Sequence, residues 1–223
     1  RFSFLSLVNI TIYNKNTMKK IPLILITIIG LSVSAQGNNS NYTNEKSKTI
    51  SIGVKAGAPN ILSLNGEFVL PILNNHIAPF IDYGSFGLDI EDTETTLKYT
   101  EYGLNVYLGN KGKGLYVGAG NGTLKNEFTF NNLTFEENSV SLRGTAKTNL
   151  DINTLNLKLG YKTGGTIYFR IEAGYGIGTI PDALNFTATS GGITETFSED
   201  IPAIPGIGTN GFAIGNIGFG LSF

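Results

Sequence analysis

The chain has no cysteine and no tryptophan, and among its 223 residues there is one histidine and one methionine. Without cysteine there is no disulfide framework, no thiolate nucleophile and no cysteine metal site. The lone histidine, His76, sits in an expected turn, and no clustered His/Asp/Glu spacing suggests a metal. Charge is scarce as well: 15% of residues are charged, against roughly 25% in an ordinary soluble protein. Residues 1–35 hold four of the 16 basic side chains (Arg1, Lys15, Lys19, Lys20) and no acid, which leaves 12 basic against 17 acidic groups, a net of −5. A nucleic-acid partner normally leaves a basic footprint, and nothing in this balance suggests one, so none is expected. Long apolar runs are missing too. The longest, 21–33, is interrupted by Thr27 and Gly30 and falls short of the about 20 residues of a spanning helix.

What is there begins with a leader. Met18-Lys19-Lys20 precedes that apolar run, and Val33-Ser34-Ala35 precedes Gln36. A basic start, a short apolar middle and small residues before the cut are the three parts of a secretory signal peptide. The expected cleavage lies between Ala35 and Gln36. Residues 1–17, upstream of the methionine, read as a mistranslated extension, 18–35 as the signal peptide, and 36–48 as a polar, Asn/Ser-rich lead-in that cannot bury enough apolar surface to order itself.

From residue 49 to 223, alternation with period two recurs, the mark of strands with two unlike faces. Ile50, Ile52, Val54 and Ala56 alternate with Ser51, Gly53, Lys55 and Gly57. The clearest case sets Ile167, Phe169, Ile171, Ala173, Tyr175 and Ile177 against Tyr168, Arg170, Glu172, Gly174, Gly176 and Gly178. Eight such segments occur, at 50–57, 62–70, 77–86, 101–108, 115–121, 155–161, 167–178 and 216–223. No amphipathic helix lies between them. Connections are short at one end (72–76, 109–114, 162–165) and mostly long at the other (87–97, 122–149, 179–211). The expected fold is all-β, a closed antiparallel up-and-down transmembrane barrel of eight strands.

Alternation alone does not say which face is inside. The polar face is mostly Gly, Ser and Asn with a few charges, a poor soluble surface but a good filling for a narrow lumen. An eight-stranded interior is just wide enough for side chains, so Lys55, Lys158 and Arg170 are expected to neutralise Glu67, Asp82, Glu101 and Glu172 within it. A basic side chain facing lipid would instead cost about 2–4 kcal/mol at mid-membrane. Tyr83, Tyr99, Tyr102, Tyr161 and Tyr175 lie near strand ends, where rings can sit at headgroup level.

The leader, the glycine-rich alternating strands and the closing Asn216-Ile217-Gly218-Phe219-Gly220-Leu221-Ser222-Phe223 resemble the small eight-stranded outer-membrane β-barrel proteins of Gram-negative bacteria. The resemblance covers about residues 49–223. It implies export by the signal peptide, delivery to the outer membrane by periplasmic chaperones, and partners that include outer-membrane lipids and the barrel-assembly machinery. That machinery's signal is implied at Phe219, Leu221 and Phe223. The motifs specify architecture and assembly and transfer no activity. No cofactor is expected. The leading functional expectation is a non-enzymatic, porin-like cell-envelope barrel whose external loops serve surface interaction or mechanical support. A narrow passage for small hydrophobic solutes comes second, and a membrane-embedded hydrolase third.

Other motifs have blander explanations. Gly206-Ile207-Gly208-Thr209-Asn210-Gly211 matches the dinucleotide fingerprint by letters, yet that motif needs a following helix where a strand is expected. Asp89, Glu91, Asp92 and Glu94 could offer calcium its carboxylates, but a solvated loop face explains them as well. Ile180-Pro181, Ile201-Pro202, Ile204-Pro205 and Ile207 are expected to pack over the barrel mouth.

Overall fold

Alternating β-branched, aromatic and glycine residues pair edge to edge in the computed structural model, which describes residues 48–109, 112–137, 140–190, 192–201 and 205–223. The leader, the Ala35/Gln36 junction and residues 36–47 of the lead-in lie outside the described residues. The chain divides into two compact units. One, Lys46–Thr134 with Arg143–Phe223, carries the barrel; of the other, Arg1–Glu45 with Phe135–Leu142, only strand tips are described.

Eight strands form the wall: β1 (Ile50–Ala58), β2 (Ile61–Phe68), β3 (Ile77–Ile90), β4 (Thr93–Tyr107), β5 (Gly114–Glu137), β6 (Val140–Lys162), β7 (Ile167–Ile177) and, last in the chain, β11 (Gly211–Ser222). Each pairs with the next, β7 pairs β11, and β11 returns to β1, so the sheet closes. The closing register runs from Ser51↔Ser222 to Ala58↔Gly215. Closure leaves no raw edge along this part of the wall, and in lipid an unpaired backbone edge has no solvent to satisfy it. Thr49, just before β1, and Phe223, just after β11, meet at one end of the barrel through a 2.8 Å backbone hydrogen bond, as an even strand count requires.

The fold is as expected, and the strand lengths are not. The stretches 87–97, 122–149 and 179–211, expected as long connections, are largely strand. β3 and β4 run on to a turn near Glu91, and β5 and β6 reach 24 and 23 residues. Three further strands follow β7: β8 (Ala183–Ser190), β9 (Ile193–Asp200) and β10 (Ile207–Gly208). β8 pairs β6 at Thr145↔Thr189 to Lys147↔Thr187, above the place where β7 stops, and β9 pairs β8. The reason is an inversion of phase. On β5 the outward residues Leu115 and Val117 give way to Lys125 and Glu127, all exposed, while inward Tyr116 gives way to half-buried Leu124, Phe128 and Phe130. Alternation continues, so the strand continues, but its apolar face changes sides.

Candidate functional site

The site is the barrel interior. Every second residue of the wall points inward, and toward the end where Thr49 meets Phe223 most of those residues are polar and buried. Lys55, Glu67, Asp82, Glu101, Lys158, Arg170 and Glu172, the seven side chains expected to share the lumen, are each at most 4% exposed. The structure brings all seven together, and it adds Lys162, at 3% exposed. Four cations therefore face four anions.

The contacts form a chain along the lumen. Ser51 and Ser222 hydroxyls lie 2.9 Å apart, and Lys162 Nζ donates to Ser51 Oγ at 2.7 Å and to Glu67 Oε1 at 2.6 Å. Glu67 also accepts from Arg170 Nη2 at 2.7 Å, Asn105 Nδ2 at 2.8 Å and Tyr107 Oη at 2.9 Å. Arg170 Nη1 lies 3.7 Å from Glu172 Oε1, which takes the Tyr116 hydroxyl at 2.5 Å. The other Glu172 oxygen accepts from Lys55 Nζ at 2.9 Å, and Lys55 is ion-paired with Asp82. Higher up, Lys158 Nζ is 2.9 Å from Glu101 Oε1. Tyr99 donates to Glu101 Oε2 at 2.7 Å, and Asn156 to the Tyr99 oxygen at 3.0 Å.

Burying a charge costs several kcal/mol unless partners replace its water. Here carboxylates such as Glu67 are met by hydrogen-bond donors on several strands, which ties β1, β2, β4, β6 and β7 together across the lumen. Rings fill the remaining space. Lys158 Nζ stands 4.2 Å from the Phe80 centroid, and Arg170 Cζ lies 5.4 Å from that of Tyr116 and 5.5 Å from that of Tyr168. Glycine makes room for them: a Cβ at Gly160 would lie 2.3 Å from Tyr116 Cζ. Val69 and Ala78 pack with the rings of Tyr107 and Tyr116 in an apolar cluster whose two hydroxyls reach into the network. Above the network Ile152, Ile180, Phe212 and Ile214 pack with Leu124 and Leu150.

Several expectations need correction or placement. Tyr99 is not a headgroup ring: it is 2% exposed, because it shares the parity of inward Glu101 on β4. Tyr83, Tyr102, Tyr161 and Tyr175 do face outward, at 43% exposure or more. His76 is a turn residue whose Nδ1 lies 2.7 Å from Tyr107 O. Gly206–Gly211 spans the β10–β11 hairpin, with Ile207↔Phe212 paired. Asp92 and Glu94 accept from Asn132 and Asn131 at 2.7 and 3.0 Å, and no group of acids or histidines among the described residues could hold a metal ion. Of the Ile/Pro-rich stretch, Ile180 packs into the mouth, Ile207 is exposed, and residues 202–204 lie outside the described set. Lys162 was missed because it was read as the first residue of the 162–165 turn, whereas it is the last of β6. Tyr168 was read on the polar face of its segment, but the part that it, Tyr107 and Tyr116 play in the network needed cross-strand register.

The outer surface decides the architecture. On β7, Ile167, Phe169, Ile171, Tyr175 and Ile177 are 43–73% exposed, while intervening Tyr168, Arg170 and Glu172 are at most 2%. Ile217, Phe219, Leu221 and Phe223 continue the apolar face on the final strand and its end, as do Leu155, Leu157, Leu159 and Tyr161 on β6. Eleven residues of β7, at about 3.3 Å each and a tilt near 40°, rise about 25–28 Å, the height of a lipid-facing band. An apolar belt around a closed, charge-filled sheet fits lipid outside, not water. The chain has the fold of an outer-membrane β-barrel.

Neither a protein-family model nor a curated protein matches the barrel's sequence. Among solved structures it is similar to CarO of Acinetobacter baumannii, at 12% identity over 78% of this chain and 98% of that one, with a TM-score of 0.43. A major outer membrane protein of Thermus thermophilus is similar at 15% identity over 78% and 99%, with a TM-score of 0.38. The architecture rests on the barrel's own closure and belt. Phe219, Leu221 and Phe223 occupy the outward face, at 64%, 45% and 61% exposed.

Proposed function

We propose that the chain is a non-enzymatic outer-membrane barrel that acts through the strands projecting beyond its belt, with its lumen sealed. The carrying observation is the neutral network of four buried cations and four buried anions in an interior only wide enough for side chains. The end where Thr49 meets Phe223 then faces the periplasm, since small outer-membrane barrels keep short turns there. Secretion by the 18–35 leader, chaperone delivery and recognition of Phe219, Leu221 and Phe223 by the assembly machinery belong to the same reading. A hydrolase finds little support: His76, the one histidine, is held by a backbone carbonyl at the periplasmic turn.

The test is electrical. Purified protein that shows heat-modifiable migration on gels should give negligible current in a planar bilayer, and a steady, large pore current would reject the sealed lumen. A second reading, passage of small apolar solutes, is favoured by the layer of Ile152, Ile180, Phe212 and Ile214 in the upper interior. Deleting residues 195–207 should then alter uptake of hydrophobic solutes. The network beneath that layer is what makes it the weaker of the two.

A further inference from the structure

Above the belt the sheet no longer closes. Its hydrogen-bonded order runs β3-β4-β5-β6-β8-β9, and no described strand follows β9. The inner edge of β9 is paired with β8 from Ala183↔Asp200 to Ser190↔Ile193, so along eight residues the outer edge leaves its backbone N–H and C=O groups open among the described residues. Natural edges are blunted with proline, charged side chains (lysine above all), bulges or very short strands. Ile-Thr-Glu-Thr-Phe-Ser-Glu-Asp has no proline, lysine, arginine or glycine, and every residue but Phe197 is exposed; its only charges, Glu195, Glu199 and Asp200, guard it against an acidic strand but not against a basic one.

Charge selects the occupant. No lysine or arginine follows Arg170 in the sequence, while Asp182, Glu195, Glu199 and Asp200 all fall on this hairpin and its flanks. A second copy pairing β9 to β9 would set acids against acids, and like charges directly opposite destabilise a strand pair. We propose that β9 is an acceptor edge for an extended, basic segment of another protein, which adds as one more strand. Alternate side chains give such additions their specificity. On one face β9 presents Glu195, Phe197 and Glu199, and Phe197 is backed by Phe186 with ring centroids 5.3 Å apart and 9° between planes. The matching strand carries a basic, an apolar and a basic residue at every second position, opposite these three. The other face offers the hydroxyls of Thr194, Thr196 and Ser198.

This inference rests on the reading that the far end of the barrel faces the cell exterior. It is tested on the full chain in nanodiscs with a short fluorescent peptide in which Lys-Thr-Phe-Thr-Lys is the central motif. The peptide should bind, and a copy methylated on alternate backbone nitrogens, unable to complete the ladder, should bind about tenfold more weakly or worse. A permuted peptide of the same composition with adjacent lysines should also lose binding. The double variant Glu195→Lys, Glu199→Lys should lose binding while keeping heat-modifiable migration. Equal binding of the methylated peptide would show charge adsorption alone and overturn the proposal, as would unchanged binding by the double variant or no binding by a folded barrel. Conductance separates the two ideas: a sealed barrel that ignores the peptide sinks only the acceptor edge, whereas a conducting one sinks the sealed lumen.

Discussion

The two halves of the barrel interior are opposites built on the same strands. Within the belt, β6 turns Asn156 and Lys158 inward and Leu155, Leu157 and Leu159 outward. Beyond it, the same strand turns Ala146, Leu150 and Ile152 inward and exposes Lys147, Asn149, Asp151 and Asn153. β5 inverts in the same way between Val117 and Lys125. A strand keeps alternating whatever surrounds it, and which face is apolar is set by the medium outside. Lipid demands the apolar face outward, and water demands it inward. The inversion on two adjacent strands therefore marks where the membrane ends, and it predicts unlike responses to substitution on either side.

The largest response is expected from Arg170, which is fully enclosed and contacts Glu67 and Glu172. Arg170→Met leaves both carboxylates short of a cation, and breaking a buried ion network by removing one partner costs about 3–5 kcal/mol. Urea unfolding in lipid vesicles should show that loss, and bilayer recordings should show whether the disturbed lumen now conducts. Lys158→Met with Glu101→Gln, which removes a cation and an anion together, should cost much less than Lys158→Met alone. A double variant no more stable than the single would mean that Glu172, 3.8 Å from Lys158, is the partner that matters.

Next comes the belt itself. Leu159→Arg places a guanidinium on the lipid face of β6 near mid-membrane, with an expected cost of about 2–4 kcal/mol. The parallel substitution Asn149→Arg, on the same strand and the same outward parity but beyond the inversion, should change stability by less than about 0.5 kcal/mol. Equal costs at the two positions would place the membrane boundary elsewhere. Vesicle-based unfolding of the pair reads the difference directly.

The inversion also explains what could be read from residues alone. β7 was legible throughout, because it lies wholly within the belt and never changes phase. The seven lumen charges were legible because they fall on the polar parity of alternating segments, as Lys55 does between Val54 and Ala56 and Arg170 between Phe169 and Ile171. β5 and β6 were recognised only up to their inversion points, beyond which Phe128 and Phe130 fall on the parity that had been polar. A search for one apolar face sees a loop there. β8 and β9 were hidden further by their threonines and serines, whose alternation with Phe186 and Phe197 is weak. Tyr99 was misplaced because it was judged by its place near a strand end, ahead of the segment that begins at 101, and not by its shared parity with Glu101. Lys162 needed the contact with Glu67, formed across the lumen from a strand 95 residues earlier in sequence.

A smaller effect separates the external aromatic ladder from the ionic interior. Phe130 and Phe186 lie 5.9 Å apart at 51°, and Phe186 stacks on Phe197, but all three are only half-buried. Aromatic pairs contribute about 0.5–1.5 kcal/mol beyond their area. Phe186→Ala should therefore leave the barrel's urea midpoint nearly unchanged while loosening the β8–β9 hairpin. Limited proteolysis of the hairpin checks this. Cutting that accelerates without a shift in the midpoint is the expected outcome, and a shift as large as that of Arg170→Met would mean that the two halves unfold as one.

The smallest effect should come from the external ion pair. Lys125 and Asp151 are 3.3 Å apart across β5 and β6, with side chains 57% and 47% exposed. Their geometry differs little from Lys158 and Glu101, at 2.9 Å, yet water competes for both partners and salt screens them. Exposed pairs contribute about 0–1 kcal/mol, so Lys125→Ala should shift stability by a few tenths of a kcal/mol at low salt and by nothing measurable at about 1 M salt, where the screening length is about 3 Å. The interior pair, with side chains 0% and 1% exposed, should show no such salt dependence. Measuring both variants at two salt concentrations turns solvent access into the only variable that differs between two similar contacts, and a salt response from the Lys158 variant would show that water reaches the lumen after all.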